Sequence, residues 1–222
     1  MAIKKYVASK DTTITNAFKA NLTQRGTGSN MGFSDALEVF SIIGQESSSS
    51  LEKSRILAEW TISDISTDRD AGDIPVSGNV NFYLKMYNAK TPFTLPRDFT
   101  LVVHAISRSW QEGTGLDMEE YTDQGYANWL VASTASTGLV DWTTEGGDFH
   151  TGAYVAGTNL PFYSQTFTNG DEDLEIDITA MVEEWIAGGS GARANYGLGV
   201  YLTSSQENAE DGDSYYTKKF FA

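Results

Sequence analysis

Phe99-Thr100-Leu101-Val102-Val103-His104-Ala105-Ile106 sets Phe99, Leu101, Val103 and Ala105 in alternation with Thr100, Val102, His104 and Ile106. A period of two sends successive side chains to opposite faces of an extended chain. The stretch therefore reads as a strand with one face on a core and the other towards solvent or a second layer. The pattern recurs on both sides. Ile56, Ala58, Trp60 and Ile62 alternate with Leu57, Glu59, Thr61 and Ser63, and Val80, Phe82, Leu84 and Met86 with Asn81, Tyr83, Lys85 and Tyr87. Further on, Leu174, Ile176 and Ile178 alternate with Glu175, Asp177 and Thr179, then Leu198, Val200 and Leu202 with Gly199, Tyr201 and Thr203. Tyr6–Ser9, Leu37–Ile43 and Ser214–Phe221 are weaker candidates. About eight such segments, rich in β-branched and aromatic residues, predict an all-β chain folded as an antiparallel β-sandwich.

Only Thr179–Ala187 reads as a substantial helix. It places Met181, Val182, Trp185 and Ile186 on one face and Glu183 and Glu184 on the other, and Gly188-Gly189 stops it. Such a helix is expected to plug an open end of the sandwich. Gln45–Ser50 and Thr67–Asp73 read as polar and charged loops. Residues 107–172 are dense in Gly, Asp, Thr and Trp with little periodicity, and a stretch that long inside one domain is expected to hold short strands and ordered loops. A single domain over 1–222 is expected. The last strand looks cut short at Ala222, which predicts that the polypeptide continues.

The chain has 222 residues, 40% of them hydrophobic and 12% aromatic, which argues against disorder. With no cysteine, disulfides, thiolate metal sites and thiol nucleophiles are ruled out. No apolar run approaches the about 20 residues of a membrane span, and no apolar stretch follows Lys4-Lys5 as in a signal peptide. The net charge of −15 is lopsided. Residues 1–110 carry 12 Lys/Arg against 11 Asp/Glu, whereas residues 111–222 carry 3 against 19. Nucleic acid and anionic membrane surfaces are therefore excluded as partners of the second half. Lys4, Lys5, Lys10, Lys19 and Arg25 cluster near the N-terminus and are candidate contacts if the chain is part of an assembly, in which case residues 111–213 should face away from it; otherwise the split serves solubility alone.

Few residues propose chemistry. His104 sits in a strand and reads as structural, and His150 has no partner motif. Gly188-Gly189-Ser190-Gly191-Ala192 has the glycines of a nucleophile elbow, but its serine follows a helix rather than a strand. The pairs Glu119-Glu120 and Glu183-Glu184 do not single out a glycosidase site in so acidic a chain. Asn169-Gly170-Asp171-Glu172-Asp173 and Asp68, Asp70, Asp73 offer oxygens at the short spacing Ca²⁺ uses, without the EF-hand order, so solvated turns are the favoured reading and no cofactor is expected. The chain is expected not to be an enzyme. Trp110, Trp129 and Trp142, with Glu112, are candidate glycan-binding residues if they line loops; the plainer reading makes each tryptophan an anchor for its own loop.

Six motifs in order resemble the DNRLRE-type domain: Lys10-Asp11-Thr12-Thr13-Ile14, Ser54-Arg55-Ile56-Leu57, Trp110-Gln111-Glu112-Gly113, Asn128-Trp129, Ile176-Asp177-Ile178-Thr179 before Trp185, and Asn195-Tyr196-Gly197-Leu198. They cover about residues 6–203. The resemblance implies a jelly-roll sandwich similar to carbohydrate-binding modules, with Asp11, Arg55, Asp177, Trp185 and Asn195 in structural roles: Asp11 capping a turn, Glu112 holding loop N–H groups, Trp185 closing the core, Asn195 turning into the next strand. The chain departs from the family in lacking an export signal and the closing Arg-Pro strand. Tailed-phage structural proteins carry this domain, and such a protein assembles in the host cytoplasm and needs no signal. The resemblance thus implies a virion component, with other phage structural proteins and further copies of itself as partners; a glycan-binding module is the alternative.

Overall fold

Phe99, Leu101, Val103 and Ala105 keep their alternation in β5 (Phe99–Ala105), and all four enter the main core. The computed structural model describes residues 3–92, 94–121, 125–151, 162–208 and 215–222. β5 lies between β10 (Leu198–Leu202) and β8 (Tyr163–Phe167), with Val200 opposite Val103 and Phe167 opposite Phe99. β3 (Leu51–Glu59) is the hub of the sheet. It pairs β10 through Ile56–Ala58, β1 (Lys10–Thr15) through Ser54–Glu59, and β2 (Ala36–Ile43) through Leu51–Ser54. β11 (Tyr215–Phe221) runs the length of β2. The seven strands form one antiparallel sheet. β4 (Tyr83–Met86) and β9 (Leu174–Asp177) form a separate antiparallel pair. Leu84, Met86, Leu174 and Ile176 of that pair meet Leu101, Val103, Leu198 and Val200 in the main core, which makes the sandwich.

The second face of the large sheet is buried too. Ile56 and Leu57 are neighbours on β3 and both 0% exposed, yet they enter different cores. Leu57 joins Ile14, Ile106, Trp110, Ala127, Trp129, Ala132 and Trp142. Adjacent strand residues face opposite ways, so here the sheet is the middle of three layers. The third layer comes from residues 106–149 and includes the hairpin of β6 (Val131–Ala135) and β7 (Gly138–Asp141). The expectation of short strands and ordered loops in the aperiodic segment holds for its described part; residues 122–124 and 152–161 lie outside it.

α2 (Thr179–Ala187) forms at its expected bounds. Met181, Val182 and Trp185 are buried, and Gly188 takes φ +55 at its end. It is not the only substantial helix. Ile62 and Ser63 leave the strand pattern, β3 stops at Glu59, and α1 (Ile62–Asp70) takes up Thr67–Asp70 of the expected loop. α1 buries Ile65 alone, so no apolar stripe announces it; Arg69 instead docks it onto α2 through both carboxylate oxygens of Glu183 at 2.7 Å. Tyr6–Ser9 is not a strand, and the first strand begins at Lys10. Ser214 lies outside the described residues, and β11 begins beside it at Tyr215. A helical turn, α3 (Ser204–Glu207), follows β10. Gly197 enters β10 at φ +85, where a Cβ would meet the Ala58 carbonyl oxygen at 2.1 Å, so this turn requires glycine.

Candidate functional site

The motif residues meet on the second face of the sheet. Trp110 is 1% exposed, donates its ring N–H to the Tyr196 carbonyl at 2.9 Å, and carries the Lys10 ammonium over its face at 4.7 Å. Lys10 Nζ also reaches the Trp110 carbonyl and pairs with Glu59. Glu112 accepts the Asp11 backbone N–H at 2.7 Å, a strand amide rather than the loop N–H groups expected of it. Asp11 itself does not cap a turn. It lies inside β1 opposite Ala58, where burial and the nearby Glu112 hold its carboxyl above the ordinary value. Asn30, fully buried, donates to the Glu112 and Ala127 carbonyls and accepts the Gly32 and Gly115 N–H groups, which fixes the loop around them.

Trp129 and Trp142 are 3% and 5% exposed. Trp142 donates to the Asn128 carbonyl at 2.8 Å, while Asn128 accepts the Leu130 and Val131 N–H groups. The three rings are therefore anchors within the third layer, and none offers an open face to a sugar. Trp185 closes the main core as expected, Asn195 holds the Gly197 N–H and the Trp60 carbonyl, and Asp177 accepts the first N–H of α2 from Thr179.

Beside this core the same face opens into a groove of about 1060 Å³. Its floor is Arg55, bound to Glu207 through two bonds of 2.7 and 2.6 Å. Arg55 also donates to the Gly146 carbonyl and faces the rings of Tyr201, Phe149 and Trp129 at 4.9, 5.7 and 5.4 Å. Tyr201 shares a 2.8 Å hydrogen bond with His104 Nδ1, and burial pushes the phenol up to about 12. At the rim, Arg108 pairs with Asp148, whose carboxylate caps the Thr143 and Thr144 N–H groups. Among the described residues neither histidine bonds a serine or threonine hydroxyl, and no three His, Asp or Glu side chains gather as a metal cage.

No family model, curated protein or solved structure matches the chain. The chemistry of the groove stands on its own residues.

Both acidic stretches that resemble cation loops already hold a lysine. Lys4 bridges Asp68 and Asp73, with the Tyr6 hydroxyl donating to Asp68. In the other, Glu172 accepts the Thr168, Asn169 and Gly170 N–H groups, and Lys218 Nζ takes the Gly170 and Glu172 carbonyls. Most of the basic residues near the N-terminus have partners of their own, with Lys4, Lys5 and Arg25 exposed. Lys10 is spent on Glu59 and Trp110, Lys19 on the Glu119 carbonyl, and Arg25 on the Asn16 and Leu51 carbonyls and the Phe18 ring. The sequence reading missed Glu207, Asn30, Asp148 and Lys218, because each acts on a partner more than 30 residues away or on backbone, and no local spacing marks such pairs.

Burial holds both His104 and His150 below their ordinary value of 6.5. The unfolded chain then binds protons that the folded one refuses, so their contribution is present above pH 6.5 and is lost as pH falls through that value. Thermal melts should show a lower midpoint at pH 5.5 than at pH 7.5, in the window about one unit either side of an unperturbed histidine. A midpoint that rises on acidification over that range would contradict the histidine burial described.

Proposed function

We propose that the chain is a non-enzymatic structural component of a tailed-phage particle, an accessory part such as capsid decoration, neck or collar, or tail attachment. One observation carries the reading: the residues that resemble the DNRLRE-type domain serve as joints of the scaffold. Lys10–Ile14 lie in β1, Arg55 ties β3 to Glu207, Trp110 and Glu112 clamp the third layer, and Asn195–Gly197 lead into β10. A three-layer body braced in this way suits a part that must survive assembly and lysis. The acidic second half keeps such a part from adhering to the packaged nucleic acid.

Mass spectrometry of density-banded particles from the encoding genome tests this. The chain should appear at a fixed copy number relative to the major capsid or tail protein. Its absence from washed particles, with recovery only as free protein in the lysate, would overturn the reading. Glycan binding has one observation in its favour, the Phe162 ring, which stands 60% exposed at the groove and edge-on to His104 at 5.4 Å. Glycan-array binding by wild type that Phe162→Ala abolishes would favour that second reading.

A further inference from the structure

The last strand carries a lysine hidden from water. Lys218 is 2% exposed, and its ammonium lies 4.9 and 5.2 Å from the ring centres of Phe167 and Phe220, both 0% exposed. Nζ touches the Asn88 carboxamide, donating to Oδ1 at 2.7 Å, while the Gly170 and Glu172 carbonyls hold it at 2.9 and 2.6 Å. Asn88 follows β4 and bridges Phe220 in antiparallel fashion, so the carboxamide sits beside the strand that carries the amine. Backbone bonds fix them on both sides: the Ala89 N–H donates to the Lys219 carbonyl and the Phe221 N–H to the Tyr87 carbonyl. The Asp173 carboxylate lies against the same asparagine and accepts its backbone N–H at 2.8 Å.

A buried amine and a carboxamide in contact with it are the parts of an amide exchange. Burial favours the neutral amine over the ammonium and pushes Lys218 down to about 8, so a nucleophilic fraction exists near neutral pH. The fixed contact supplies the effective concentration that such a reaction lacks in water.

We propose that Lys218 and Asn88 join in an intramolecular isopeptide bond that ties β11 to the segment after β4. The Nζ lone pair adds to Asn88 Cγ, and the tetrahedral centre collapses with breakage of the Cγ–Nδ2 bond. The proton released by Nζ passes to Nδ2 within the tetrahedral centre, and Nδ2 leaves as ammonia. One amide replaces another, and nothing is oxidised or reduced. Phe167 and Phe220 cover the attacking amine. The inference does not rest on the proposed role in a particle.

Intact-mass measurement of the purified full chain tests it without any variant having to fold. The expected mass is one ammonia below that of the sequence, with peptides carrying residues 88 and 218 recovered as one branched species after digestion. Lys218→Ala and Asn88→Ala should each return the full sequence mass. A wild-type chain at full sequence mass, or one lighter by ammonia without the branched species, would overturn the proposal.

Discussion

Replacing Glu207 by Gln should cost about 3–5 kcal/mol of unfolding free energy, the usual penalty for leaving one member of a buried ion pair alone. The side chains of Arg55 and Glu207 are 13% and 5% exposed. Glutamine keeps one acceptor but removes the counter-charge, and the guanidinium stays boxed in by Tyr201, Phe149 and Trp129. Urea titration followed by tryptophan fluorescence reads the loss. The double change Arg55→Met with Glu207→Leu should recover much of it, since apolar groups of similar volume commonly replace such a pair at little cost. A loss below about 1 kcal/mol for Glu207→Gln would place the pair with ordinary surface bridges and contradict its burial.

Trp110→Ala should be comparably severe, at about 3–5 kcal/mol for a fully enclosed tryptophan. It empties the centre of the second core, leaves the Tyr196 carbonyl without its donor and removes the ring beneath Lys10. Trp110→Phe keeps most of the apolar body and loses the N–H, so it should cost about 1–3 kcal/mol. Limited proteolysis separates this account from general weakening. In the alanine variant new cuts should appear first within residues 107–149, while β3, β5 and β10 stay intact. First cuts in the β4–β9 pair would show that Trp110 does not hold the third layer.

The strand pattern was legible in β5, β9 and β10, which keep a strict period of two, but not in β8, which sends Phe167 into the main core from within the aperiodic stretch. It failed at α1, whose single buried isoleucine carries no helical stripe and whose docking rests on the Arg69–Glu183 pair. The third layer was invisible as a layer. Its residues are held by side chain to backbone bonds, from Asn30, Asn128 and Asp148, that follow no period. Tryptophan spacing did point to anchoring, and burial of Trp110, Trp129 and Trp142 is where that reading leads. The groove drew on Arg55, which the motif resemblance marked, and on Glu207, which nothing local marked. The acidic stretches read as solvated turns, and the structure adds what spacing does not show: the chain supplies Lys4 and Lys218 to them.

The central claim is that the tryptophan-bearing segment is a packed layer of the body and not a set of displayed loops. Native-state hydrogen exchange tests it most directly, at the amides of Gln111, Ala127, Trp129, Trp142 and Gly146. These bond to the carbonyls of Ala132, Gln111, Thr27, Leu130 and Trp129 respectively. The account predicts protection within about tenfold of the β3 amides that flank Leu57, since both belong to one cooperative unit. Exchange of those five amides at free-peptide rates, while β3 and β5 remain protected, would contradict it.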